Sequence, residues 1–189
     1  EVSYGVGGGI VWDSAPEREF EECRTKSLLL CASRQPLSLF ETILWTPQEG
    51  YWLLAYHLSR LEASAEYFDI LFDKEKAVGC LNELLADVPG DAFVCRLFLH
   101  ETGEVSYDTR AAPSHTSSNS WRLGVADEAV DSKDWRLYHK TTHRAVYNKA
   151  RERFPDCDDV LLVNERGELT EATIANLVIE KEGRFVTPP

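Results

Sequence analysis

Apolar positions along the chain switch between a period of two and a period of about three and a half, and the switches mark the expected elements. The opening "GGGIVWDS" reads as a short strand. Ser14 with Glu17 three positions later forms a capping box, and Pro16 falls in a first helical turn, where its missing N–H costs nothing. A helix is therefore expected from about Pro16 to Ala32. Its acidic first turns (Glu17, Glu19, Glu21, Glu22) suit the positive end of the helix dipole, and Phe20, Cys23, Leu28 and Cys31 supply a partly apolar face. "SRQPLS" then breaks the pattern with polar residues and Pro36, which predicts a joint near residues 33–37.

Beyond the joint, "LFETILW" and "YWLLA" read as strands around a "TPQEG" turn, followed by a helix over "HLSRLEASAEYFDIL" with Leu58, Leu61, Ala65 and Phe68 on one side. A second helix is expected over about Lys74 to Ala86, capped by Asp73 and ended by Pro89 and Gly90. "AFVCRLFLHETGEVSYDTR" alternates on both sides of Thr102–Gly103, the signature of a hairpin, and "AAPSHTSSNS" reads as a polar loop. The last third predicts strands at "WRLGVA" and "DWRLYHK", a helix over "TTHRAVYNKARERF", a strand at "DDVLLVN", and a hairpin through "ERGE" into "LTEATIANLVIE" and "GRFVTP". The alternation of strands and helices is that of an α/β or α+β fold, without internal repeats.

With 189 residues, 43% of them hydrophobic, the chain is long enough to bury a core in one domain or two small ones. Acidic residues outnumber basic ones by 32 to 20 and the net charge is -12, so no nucleic-acid partner is expected. No apolar run approaches the roughly 20 residues of a membrane span, and the start lacks the pattern of a signal peptide, so no membrane association and a cytoplasmic location are expected. Five scattered cysteines without a CxxC pair read as reduced, mostly core residues. The lack of methionine and the final "RFVTPP", a strand and turn leading onward, read as an excerpt of a longer polypeptide.

Two constellations carry candidate chemistry. The first is the glycine run Gly5, Gly7, Gly8, Gly9. A dinucleotide fingerprint fails because Ile10 stands where the third glycine belongs, and no Gly-Lys-Ser/Thr follows for a P-loop. Downstream, Glu19, Glu22 and Lys26 lie at i, i+3 and i+7, on one helix face. Backbone amides with a lysine suit a carboxylate ligand and paired glutamates suit Mg²⁺, while a solvated face with a Glu22–Lys26 pair is the plainer alternative. The second is Lys140, placed at a strand end before a helix capped by Thr141 or Thr142, with Glu171 about thirty residues on in a strand where a carboxylate needs a partner. A lysine that forms a Schiff base and an acid facing a pyridinium nitrogen would account for both.

The stretch "GVGGGIVWDSAPEREFEECRTK" resembles the C-terminal motif of chorismate-utilising enzymes, the component I of anthranilate and aminodeoxychorismate synthases. The resemblance implies that Gly7, Gly8, Gly9 and Lys26 receive chorismate carboxylates and that Glu22, with Glu19 as a second acid, holds Mg²⁺. It covers only about the first 33 residues. Residues 38–189 resemble the N-terminal part of the fold-type IV pyridoxal 5′-phosphate enzymes, the class IV aminotransferase family. The resemblance implies Lys140 as the Schiff-base lysine, Glu171 as the partner of the pyridine nitrogen, and Arg60 of "HLSRL" as a ligand of the cofactor phosphate. His143 departs from the asparagine often found in the lyase branch, and the family's glycine-containing phosphate turn would come after "TPP".

Together the resemblances imply a chorismate-binding tail (1–33), a linker (34–37), a small α/β domain (38–120) and the start of a larger cofactor-binding domain (121–189). They point to the lyase that releases pyruvate from 4-amino-4-deoxychorismate to give para-aminobenzoate in folate biosynthesis, fused to the chorismate component. A homodimer through the fold-type IV part and a glutamine amidotransferase subunit are the partners implied. The expectation for residues 1–189 alone is weak cofactor binding without lyase activity. A branched-chain or D-amino acid transaminase would share Arg60, Lys140 and Glu171, and a non-catalytic fragment with a structural role is the third alternative.

Overall fold

The computed structural model describes residues 3, 5–31, 35–87, 90–112 and 120–188, with the side chains of 28–31 and 87 left aside. It divides into two units, residues 1–36 and 37–189. The expected end of the first helix at Ala32, residues 33 and 34 of the joint, the Pro89 stop, the side chains of Leu28 and Cys31, and 113–119 of the polar loop lie outside the described residues.

In the first unit a helix, α1, spans Pro16–Cys31. Residues 5–11 form no strand. A strand needs a ladder partner, and among the described residues none pairs with this stretch. The capping box is also replaced: the first helical bonds go to Ala15, whose carbonyl accepts from the Arg18 and Glu19 amides. Ser14 instead accepts from the Val11 amide at 3.0 Å and donates to Glu19 at 2.7 Å, tying the glycine segment to the helix. Phe20 is 65% exposed.

The second unit begins with β1 (Ser38–Thr46) and β2 (Gly50–Tyr51), then α2 (Leu54–Tyr67), α3 (Lys74–Asp87) and the hairpin β3 (Phe93–His100) and β4 (Val105–Ala111). The antiparallel sheet has the order β2-β1-β3-β4. Only Tyr51 of "YWLLA" is strand, because Leu53 takes a left-handed conformation (φ 53) and starts α2 early. Asp73 caps α3, accepting from the Lys76 amide at 3.0 Å, and Gly103 at φ +81 turns the hairpin where a side chain would be strained. The helices cover one face of the sheet, and Leu39, Ile43, Leu58, Leu61, Leu81 and Leu97 meet in the core between them.

The remainder contains β5 (Leu123–Val125), a 3₁₀ turn (Trp135–Leu137), α4 (Ala145–Glu152), β6 (Asp159–Val163), β7 (Leu169–Ala172), β8 (Ile179–Lys181) and β9 (Arg184–Val186). β5 and β6 run parallel, β6 and β7 antiparallel, and α4 packs Tyr147 and Ala150 against Val160 and Leu162. "DWRLYHK" is a turn rather than a strand: Asp134 accepts from the Arg136 amide at 3.0 Å and closes the 3₁₀ bend. No helix among the described residues is long and apolar enough to cross a membrane.

Candidate functional site

The position of Lys140 follows from an open edge. β2 pairs with β1 only at Trp45 and Thr46, which leaves the first half of β1 without a neighbour on that side. Residues 140–142 fill the gap. The Phe40 amide donates to the Lys140 carbonyl at 3.0 Å, the Thr142 amide donates to the Ser38 carbonyl at 2.9 Å, and the Ser38 amide donates to the Thr142 hydroxyl at 3.0 Å. Thr142 thus holds β1 and does not cap α4, whose N-terminal residue Arg144 has no side-chain cap. Lys140 is thereby held to β1 through its own carbonyl and through Thr142, and is half-buried.

Its ammonium lies 5.2 Å from the centre of the Phe40 ring and makes no hydrogen bond or ion pair among the described residues. Burial pushes its pKa below the usual 10.5; Arg60 and Arg144 push the same way, while Glu41 and Glu171 oppose them. A larger share of this amine is therefore neutral and nucleophilic near neutral pH than in an ordinary lysine.

Glu171 sits on β7, opposite β6, with its carboxylate accepting from the Tyr147 hydroxyl at 3.0 Å. Burial raises its pKa, against the Tyr147 bond and the positive charges of Arg144 and Lys140. Behind it the fully buried Asp159 gathers the amides of Thr173, Ile174 and Ala175 at 3.1, 3.2 and 2.9 Å and so fixes the chain just after Glu171. Arg144 lies 4.1 Å over the Tyr147 ring and donates to the Thr173 carbonyl at 2.6 Å, bracing the same corner.

Arg60 on α2 pairs side-on with Glu41 of β1, through Nε at 2.6 Å and a terminal nitrogen at 2.5 Å. His57 Nδ1 lies 2.8 Å from the same carboxylate. Arg60 and Glu171 line one cleft of about 770 Å³, together with Tyr138, Asn164, Asn176 and Thr187 among others. Lys140 is not among the lining residues, yet both side chains act on its charge. An aldehyde for the amine, an anion for the guanidinium and a basic ring nitrogen for the carboxyl are the ligand features this set suits. Sequence reasoning passed over Glu41, His57, Arg144 and Tyr147. The signal was present in Glu41, a charge inside the nearly continuous apolar strand "LFETILW", and in His57 and Arg60 at i and i+3.

In the first unit Lys26 pairs with Glu22 at 2.7 Å and donates to the Gly7 carbonyl at 3.1 Å. A Cβ added at Gly8 would lie 3.2 Å from Glu19 Oε2 and 3.7 Å from Glu22 Oε1, so both carboxylates face the glycine backbone. Gly9 has open space around it. The described residues contain no cluster of three or more His, Cys, Asp or Glu placed for a metal, so a Mg²⁺ here would need substrate and water for most of its ligands.

Residues 38–189 match the family described as amino-transferase class IV, and residues 1–30 match the family described as chorismate binding enzyme. A Schizosaccharomyces pombe protein named "Putative aminodeoxychorismate lyase" is 30% identical over 159 residues, which is 80% of this chain and 66% of that protein, so the chain spans just under two thirds of its length. The crystal structure of a "Putative amino-acid aminotransferase" from Mesorhizobium loti superposes with a TM-score of 0.75 at 31% identity, over 81% of this chain and 75% of that one. A hypothetical aminotransferase from Mycobacterium tuberculosis, bound to alpha-ketoglutarate and PMP, shares the fold with a TM-score of 0.66 at 22% identity, over 85% of this chain and 63% of that one.

Proposed function

The chain belongs to the class IV amino-transferase family, and from that premise we propose that it is the pyridoxal-phosphate lyase that converts 4-amino-4-deoxychorismate to para-aminobenzoate and pyruvate, joined to a chorismate-binding segment. The observation that carries the reading is the joining of the two matches in one polypeptide. The class IV amino-transferase match begins soon after the match to the chorismate binding enzyme family ends. The similarity of the chain to a protein named for aminodeoxychorismate lyase supports the same activity over a transaminase.

The residues fit the cofactor on their own chemistry. Lys140 offers a half-buried amine without an ion pair among the described residues, Arg60 a guanidinium for the phosphate, and Glu171 a carboxyl for the ring nitrogen. Bound there, the cofactor supplies an electron sink for charge developing on the substrate carbon next to nitrogen. Lys140 first holds the cofactor and then, as a neutral amine, takes the proton from the ring carbon bearing the substrate amino group. Glu171, braced by Tyr147, would accept the N–H of the ring nitrogen with its carboxylate and so favour the protonated ring. In the other unit, Gly7, Gly8, Gly9 and Lys26 would receive chorismate carboxylates, and Glu22 with Glu19 would hold a Mg²⁺ that offsets the substrate's negative charge. A homodimer, a glutamine amidotransferase partner and a cytoplasmic location complete the reading.

The test is product analysis. The full-length protein with pyridoxal phosphate should release pyruvate and para-aminobenzoate from aminodeoxychorismate with no 2-oxo acid present. Amino transfer from leucine or D-alanine to 2-oxoglutarate, with aminodeoxychorismate untouched, would replace the lyase by a transaminase.

A further inference from the structure

We propose that Glu41 is a positioning residue for Arg60: its buried carboxylate clamps one edge of the guanidinium so that the other edge is held ready for the cofactor phosphate. The proposal rests on the phosphate role given to Arg60 above.

Glu41 is 1% exposed and lies in β1, locked in register opposite Leu97 of β3, so its carboxylate cannot swing to water. A buried carboxylate is costly unless paired, and among the described residues the pairing comes from one helix. Arg60 and His57, one turn apart on α2, both reach it, at 2.5 to 2.6 Å and 2.8 Å. Burial alone would raise the carboxyl's pKa, but the bonds from Arg60 and His57 hold it below the ordinary range, so it remains an anion.

The geometry of the pair leaves a defined remainder. Side-on pairing uses Nε and one N–H of a single terminal nitrogen, and the other terminal nitrogen has no partner among the described residues, which leaves it for an anion in the cleft that Arg60 lines. The Arg60 side chain is 55% exposed while its partner is sealed, so the clamp is dry on one edge and wet on the other. An arginine on an exposed helix face would otherwise lose rotamer freedom only when the phosphate arrives; here that ordering is done beforehand. The negative charge of Glu41 also offsets the guanidinium as felt by Lys140, which keeps the amine from an even lower pKa.

The experiment compares binding of pyridoxal phosphate with binding of pyridoxal, which lacks the phosphate, by titrating the absorbance of the lysine-bound form in the full-length protein. Arg60→Ala sets the scale, with a selective loss for the phosphorylated ligand. Glu41→Gln, which keeps shape and loses the charged clamp, should weaken pyridoxal phosphate by about tenfold and pyridoxal by less than about twofold. His57→Gln should shift the same ratio by a smaller factor, and serves alone if Glu41→Gln does not fold. Equal weakening of both ligands, or an unchanged ratio in these variants while Arg60→Ala remains selective, overturns the positioning role. If Arg60→Ala itself shows no selectivity, the phosphate role of Arg60 falls instead.

Discussion

Lys26 and Lys140 are both given the task of meeting a small-molecule substrate or cofactor, but the two units prepare them in opposite ways. Lys26 lies on an open helix face, bound to Glu22 and to a backbone carbonyl; the Glu22 hydrogen bond and charge raise its pKa. Lys140 is fixed by backbone to β1, faces an aromatic ring, and has its pKa lowered by burial. The first stays a cation near neutral pH, fit to attract a carboxylate and unfit as a nucleophile. The second carries the cost of burial as a charged group and gains reactivity as an amine. Which chemistry a lysine can perform is decided here by its surroundings, not by its residue type.

The largest effect expected from breaking this contrast is Lys140→Ala, which should lower pyruvate release by on the order of 10⁴-fold or more, while Lys133→Ala and Lys149→Ala stay within about twofold. Stability separates the units next. Leu97→Ala, in the sealed core of the sheet, should cost about 2–5 kcal/mol in urea unfolding, whereas Phe20→Ala on the exposed face of α1 should stay within about 0.5 kcal/mol. The alkaline pH dependence sharpens the contrast with a smaller effect of opposite sign. The depressed pKa of Lys140 means that the folded state sheds its proton first, so the stability penalty is full below the folded value and fades as pH rises from there through 10.5. Lys140→Met should therefore gain most over the unsubstituted protein at neutral pH and lose that advantage in alkali. The raised pKa of Lys26 gives a contribution present below 10.5 and lost as pH rises through the folded value, so Lys26→Met should lose its disadvantage over the alkaline range. Urea midpoints across pH for the two variants check both signs.

The fold was most legible where local chemistry and packing agree. Asp73 announced α3, Thr102–Gly103 announced the hairpin, and the α/β alternation pointed to the fold seen in residues 38–189. Elements failed where a distant partner decides. "DWRLYHK" has strand-like alternation, but Asp134 bends it into a 3₁₀ turn, and its last residue is held by the open edge of a strand about a hundred positions earlier. "GGGIVWDS" has strand composition without a ladder partner among the described residues. For the candidate site, motif resemblance named Arg60, Lys140 and Glu171, and the fold brings Arg60 and Glu171 to one cleft with Lys140 inside their field. Glu41 and Tyr147, the groups that hold Arg60 and Glu171, escaped notice because their value lies in contacts 19 and 24 positions away, which no local pattern encodes.

The central claim is that Lys140, and not another lysine, is the amine prepared for the cofactor. Borohydride reduction of the full-length protein with pyridoxal phosphate, followed by peptide mapping, reads this directly. The cofactor is expected to remain attached to the peptide containing Lys140, with Lys26, Lys133 and Lys149 unlabelled. Label on any of those three, with Lys140 recovered unmodified, would contradict it.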